Sequence, residues 1–227
     1  MRENVCILVT GIPASGKSCF AEKLQQNLGI PVISKDQIKE ILYDTVGFRS
    51  RAEKVALGNA ALEVMYDMVA RLMVCNQPFI LENNFESHSV PGLVKILEDH
   101  YYRAVTVRLT GDYEKIYQRF LERDRSGKRH RGHVVNDCYP ENSIKKGQLQ
   151  AELSQEPSQE PSQEPPQEPS REPSLSPSLE SFITGITNRG MDTFFIGDPV
   201  ITVDTTDFAE VDEASVIETV KRAAGLS

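Results

Sequence analysis

Short, continuous apolar runs alternate along the chain with longer stretches whose apolar residues recur at helical spacing. The runs are Val5–Thr10 (VCILVT), Pro31–Ser34 (PVIS), Pro78–Leu81 (PFIL), Ala104–Leu109 (AVTVRL) and Val200–Val203 (VITV). Each reads as a short strand, and the first suits one buried on both faces of a parallel sheet. Between them, Ser18–Leu28 carries Phe20, Ala21, Leu24 and Leu28 on one helical face, and Gly29 and Pro31 end that helix. Asp36–Thr45 reads as a helix with Ile38, Ile41 and Leu42 together. Arg51–Cys75 reads as a long one with a stripe of Leu57, Ala61, Leu62, Met65, Met68, Val69 and Leu72. Val90–His100, Asp112–Asp124 (Ile116 and Phe120 inward) and Asp212–Ala224 complete the set. Strands alternating with helices predict βαβ units, hence an α/β three-layer α/β/α sandwich around a five-stranded parallel sheet.

One stretch breaks the pattern. Residues 154–181 read SQEP SQEP SQEP PQEP SREP SLSP SLES. Proline every fourth residue removes helix hydrogen bonds, and little apolar surface offsets the cost of ordering. Residues 149–181 are therefore expected to be a disordered insertion with polyproline II character. It serves as a docking arm or spacer, or, more plainly, is a tolerated loop expansion. Residues 1–148 and 198–227 then form one domain, with 182–197 a connector to the last strand.

The 227 residues carry a net charge of −8, with 39% hydrophobic and 26% charged positions, an ordinary globular balance. The charge is unevenly spread. Residues 149–181 hold seven Glu and one Arg, residues 182–227 hold 8 acids and 3 bases, and residues 1–148 hold 18 acids and 21 bases. The overall sign argues against a protein that coats nucleic acid, yet the long N-terminal part is slightly basic. Cys6, Cys19, Cys75 and Cys138 lie too far apart for a zinc knuckle or redox pair, and Cys6 and Cys19 read as buried thiols. No run approaches the roughly 20 apolar residues of a membrane span, and the N-terminal run is too short for a signal peptide. The chain is expected to be reduced, cytoplasmic and free of membrane.

The chemistry begins directly after the first strand. Gly11, Ile12, Pro13, Ala14, Ser15, Gly16, Lys17 and Ser18 spell G-x-x-x-x-G-K-S between a strand and an amphipathic helix. In that context backbone N–H groups surround nucleotide phosphates, Lys17 reaches them, and Ser18 faces Mg²⁺. Asp36 follows the second strand on the same rim. A carboxylate there can take the proton of an attacking hydroxyl, and it can also cap the next helix. Glu82 ends the third strand as a candidate metal-side acid, or as a solvated strand-end charge. Asn84 can hold substrate or shape a turn. Six Arg or Lys fall between 119 and 131. Arg119 and Arg123 share a helix face, as the arginines of a mobile lid would, although the cluster could also track a phosphate backbone. It lacks interleaved aromatics past Phe120 for stacking bases. His130 and His133 are too few for a metal site.

Together, GIPASGKS (11–18), SKDQIKEILYD (34–44), FILENNF (79–85), RHRGHV (129–134) and VITVDTTD (200–207) resemble the small P-loop kinases labelled AAA-family ATPases. These are relatives of chloramphenicol phosphotransferase, zeta-toxin kinases and polynucleotide kinase domains. The resemblance covers about residues 4–148 and 198–225. It implies a P-loop NTPase fold with a basic helical lid, ATP and Mg²⁺ at Lys17 and Ser18, Asp36 as base, and Arg119 and Arg123 in the lid. Lys39, Asn84, Arg129 and His130 are the acceptor-side candidates; Lys39 replaces the arginine usual in polynucleotide kinases. The expected activity is phosphoryl transfer from ATP to a hydroxyl of a small molecule. A polynucleotide 5′-hydroxyl kinase and a non-catalytic nucleotide-binding switch are the alternatives.

Overall fold

The computed structural model describes residues 4–141 and 176–226. Five strands, β1 (Val5–Gly11), β2 (Val32–Ser34), β3 (Phe79–Glu82), β4 (Arg103–Thr110) and β5 (Val200–Asp204), form one sheet in the order β2-β3-β1-β4-β5. Every pairing is parallel, and the register sets Val9 against Glu82 and Glu82 against Ser34. The carboxyl ends of β1, β2 and β3 therefore open onto a single rim, where open α/β sheets bind ligands. Strands covered on both faces need apolar residues at every position, and β1 is buried throughout.

Successive residues of a strand feed opposite layers. Val5, Ile7 and Val9 pack with Phe20, Ala21 and Leu24 of α1 (Lys17–Leu28) and with Ile217, Val220 and Ala224 of α8 (Glu213–Ala224). Cys6 and Leu8 pack on the other side with Met65, Val69 and Met73 of α3 (Arg51–Val74) and Leu93 and Leu97 of α4 (Val90–Asp99). This is the expected three-layer sandwich. The remaining helices are α2 (Lys35–Thr45), α5 (Tyr113–Arg125), α6 (Arg131–Val134) and α7 (Leu179–Thr187). Among the described residues, no helix is long and apolar enough to cross a membrane.

Four expectations change. The stripe of α3 is turned: Met68 is 43% exposed, while Met73, outside the expected stripe, is 2% exposed. That helix is apolar on most sides, so its pattern selects no face; packing against β2 and α2 does. In α2, Ile41 is 63% exposed and Tyr43 is the buried side chain. Cys19 is exposed on α1, whereas Cys6 is buried; all four cysteines are free thiols. The fourth change concerns 182–197, which is core rather than connector. Phe182, Ile186, Met191, Phe194 and Ile196 are all buried, and Phe194 stacks on Phe85 with ring centroids 5.0 Å apart. Helix α7 also begins inside the stretch expected to be disordered, because Ser178 caps it and apolar residues return at helical spacing. The rest of the repeat expectation, up to residue 175, lies outside the described residues.

The turned stripe gives a stability prediction. Met73→Ala should cost about 2–5 kcal/mol of folding free energy. Met68→Ala should stay within about 0.5 kcal/mol. Urea unfolding of both variants reads the difference, and equal losses would restore the sequence-derived face.

Candidate functional site

The loop from β1 to α1 owes its shape to residues in left-handed or mirror-β backbone, Gly11 (φ 135°), Ala14 (φ 65°) and Gly16 (φ 92°). A side chain at Gly16 would also meet the Phe208 ring at 2.7 Å. Lys17 is buried, and its Nζ donates to the Ile12 carbonyl at 2.8 Å. Burial brings its pKa down to about 8, against the opposing pull of Glu82 and Asp36 and with Arg123 and Arg129 adding to the fall. Beside it opens a cleft of about 560 Å³, lined by Gly16, Ser18, Arg119, Arg123, Thr205 and Phe208 among others. Several buried donors here make no hydrogen bond among the described residues: Ser15 Oγ, Arg119 Nη1, and Arg123 Nε and Nη2. Buried polar groups are seldom left unpaired, so this set fits a polyanion such as the phosphates of a nucleotide.

Two arginines reach the cleft from α5. Arg119 donates to the Thr205 carbonyl at 2.6 Å, and its guanidinium lies 4.3 Å from the centre of the Phe208 ring. Arg123 lies one turn further on. It is half-buried, 3.7 Å from Asp124, with its guanidinium 5.6 Å from the Phe120 ring centre.

The acids converge on the same rim. Ser34, not Asp36, occupies the N-cap of α2; its hydroxyl caps nothing and instead donates to Glu82 Oε2 at 2.5 Å. Glu82 is buried rather than a solvated strand end, and burial raises its pKa while Lys17 and the hydroxyls of Ser34 and Ser18 oppose the rise. Ser18 and Glu82 thus stand together with an open hydroxyl and a carboxylate, a donor pair suited to Mg²⁺ and its water shell. Asp36 keeps 49% of its side-chain surface open and pairs with Lys39 at 3.3 Å. Burial pushes its pKa up, but the neighbouring cations, Lys39 foremost, outweigh that and hold it below the ordinary carboxylate value. The result is an ionised, partly open carboxylate on the rim.

Residues 6–137 match the family model AAA_33, an AAA domain. The chain is a member of the AAA domain family. A candidate kinase from Chloroflexus aurantiacus j-10-fl shares the fold of this AAA domain, with TM-score 0.71, 21% identity and 98% of both chains covered. The APE1195 structure is similar at TM-score 0.50 and 15% identity, over 99% of this chain and 97% of that one. A gluconokinase from Sinorhizobium meliloti 1021 is a looser likeness at TM-score 0.47 and 14% identity, over 99% and 94%. No curated protein matches. The AAA domain therefore has a P-loop kinase-like fold.

The segment that follows α5 in this AAA domain is anchored through α6. His130 caps that helix: its Nδ1 accepts from Gly132 N at 3.1 Å, and its Nε2 lies 3.0 Å from Asp44 Oδ1. Both ring nitrogens serve the architecture, which leaves neither for an acceptor. His133 Nε2 lies 3.1 Å from Glu40 Oε1. Lys54 of α3 donates to the His133 carbonyl at 3.0 Å and to Asn136 at 3.2 Å, and also to Val135. The α6 backbone rests on Tyr43, whose ring a Gly132 side chain would meet at 2.5 Å. Arg129 reaches back to Asp124 at 2.7 Å, and Asn84 lies half-buried past Glu82, outside these contacts.

Sequence reasoning missed Tyr43, Lys54 and Phe208 and set His133 aside. Tyr43 looks like any apolar helix position, and Lys54 like a solvated charge. Only Phe208 left a trace, as a lone aromatic just past the last strand. Burial pushes the His133 pKa down to about 3, so its imidazole is neutral. Histidine NMR should accordingly show no titration of His133 between about pH 5 and 8; a midpoint in that window would contradict its burial.

Proposed function

We propose that this AAA domain is an ATP- and Mg²⁺-dependent kinase that phosphorylates a hydroxyl of a small molecule. The observation that carries this reading is that Lys17 and Asp36 share one rim. The buried lysine follows β1 and the half-open carboxylate follows β2, at the carboxyl ends of strands in one parallel sheet. Binding phosphates does not require that carboxylate; activating a hydroxyl does.

The roles follow from the side chains. The 11–18 loop wraps the phosphates with backbone N–H groups, and Lys17 adds positive charge. Ser18 and Glu82 would hold Mg²⁺, which when bound neutralises phosphate charge during transfer. Asp36 takes the proton of the acceptor hydroxyl as its oxygen attacks the γ-phosphorus and the bond to the departing ADP oxygen breaks. Arg123 offers unpartnered donors beside Lys17 for charge on the transferred group. Arg119 and Phe208 shape the outer cleft. Lys39, Asn84 and Arg129 belong to the acceptor side.

A small acceptor is favoured over a nucleic-acid end because most of the lid cations are committed. Arg119 and Arg123 line the cleft, Arg129 pairs with Asp124, and Arg131 pairs with Glu141. That leaves Arg125 and Lys128, both exposed, to track a phosphate backbone. The deciding experiment incubates the protein with ATP, Mg²⁺ and a panel of hydroxyl metabolites, nucleosides and oligonucleotides, and seeks a mass gain of one phosphate. A gain on a small alcohol is expected. Gain on the oligonucleotide alone would select the polynucleotide kinase alternative. ATP binding without transfer to any member would select the non-catalytic switch.

A further inference from the structure

Helix α7 lies outside the strand-loop-helix unit that forms the site, yet it is packed behind both halves of it. Its Phe182 and Ile186 share one buried cluster with Ile12 of the phosphate loop and Ile116 of α5, with Ala14, Tyr117 and Phe120 packed at its edge. The Phe182 ring sits 5.4 Å from Tyr117 and 5.2 Å from Phe120, centroid to centroid. Phe120 in turn carries two cations: the guanidinium of Arg123 lies 5.6 Å, and that of Arg129 5.8 Å, from its ring centre. Both ends of the α7 segment are tied to α5. Tyr117 donates to the Pro177 carbonyl at 2.6 Å, and Tyr113 donates to Asp192 at 2.9 Å.

From this chain of contacts we infer that Phe182 is a positioning residue, which sets Arg123 against Lys17 through Phe120. The inference rests on the kinase reading, since it gives Arg123 a transferring phosphoryl group to meet. The physical reason is the length of the arginine side chain. A guanidinium on flexible carbons is accurate only if something fixes the surface beneath it; the Nε and Nη2 of Arg123 make no hydrogen bond, and the Asp124 carboxylate lies 3.7 Å from Nε. A ring wedged from behind by a second ring supplies that surface. The same buried cluster contains Ile12, whose carbonyl holds Lys17. One helix thus indexes the lysine of the loop and the arginine of the lid to each other.

The test compares binding of ADP with binding of ADP plus aluminium fluoride, a mimic of the transferring group, by calorimetry with Mg²⁺ present. Phe182→Leu should weaken the aluminium fluoride complex by about 10-fold or more while leaving ADP affinity unchanged. In an Arg123→Ala background the same Phe182→Leu change should cost nothing further, because the residue acts through that arginine. Met73→Ala, which loosens a different buried cluster, controls for lost stability and should leave the ratio of the two affinities unchanged. Tyr117→Phe, which keeps the ring but cuts the tie to Pro177, covers the case in which Phe182→Leu does not fold; it should shift the ratio in the same direction. Equal losses for both ligands, or an undiminished loss without Arg123, would overturn the inference and leave the kinase reading standing. A wild-type protein that binds neither ligand would overturn both.

Discussion

Asp36→Asn is expected to lower kcat for phosphoryl transfer by about 10²- to 10⁴-fold, with little change in KM for ATP. Asparagine keeps the size and the hydrogen-bonding reach of the side chain but cannot take a proton from the acceptor. The nucleotide half of the site, built from residues 11–18 and α5, is untouched, so ATP binding should persist. The pH profile gives a second, independent reading. The neighbouring cations, Lys39 foremost, hold the Asp36 carboxyl below its ordinary value despite burial. A depressed pKa keeps the base ionised as pH falls, so the acid limb of kcat/KM should lie below the usual carboxylate range. Lys39→Met removes the cation 3.3 Å away and should move that limb upward. Full transfer activity in Asp36→Asn would end the assignment of Asp36 as base.

What the sequence revealed of this site, and what it hid, divides along a physical line. Backbone-dictated features were legible. G-x-x-x-x-G-K-S demands left-handed backbone at fixed places, and a parallel strand buried on both faces must be apolar throughout. Glu82 and Asp36 were legible because strand ends fix where the next residue lands. What escaped depends on which face of an element meets its neighbours. Helix α3 is apolar on most sides, so only packing could choose Met73 over Met68. Tyr43 and Lys54 work through contacts with α6, far away in sequence, and no local pattern encodes such a pairing. Helix α7 was hidden for a different reason. The composition of the preceding repeat overran its start, although SLESFITGIT carries both a Ser cap and helical spacing.

The two lid arginines, indistinguishable in sequence, should separate in kinetics. Arg123→Ala is expected to lower kcat by about 10²- to 10³-fold with a small effect on KM for ATP. Its guanidinium counts among the groups that depress the Lys17 pKa, and two of its nitrogens are buried without a hydrogen bond. A donor held free beside the phosphate lysine has most to gain when charge moves onto the transferring group, which is the condition for lowering the barrier rather than tightening binding. Arg119 stands elsewhere. It is bonded to the Thr205 carbonyl and stacked on Phe208, which leaves Nη1 as its one buried nitrogen without a hydrogen bond. Its loss removes an interaction made equally before and during transfer. Arg119→Ala should therefore raise KM for ATP by about 10-fold and leave kcat nearly unchanged. Steady-state kinetics over a range of ATP concentrations measures both variants. The reverse pattern, with kcat lost at Arg119 and KM at Arg123, would exchange the two roles and remove the reason for propping Phe120 from behind.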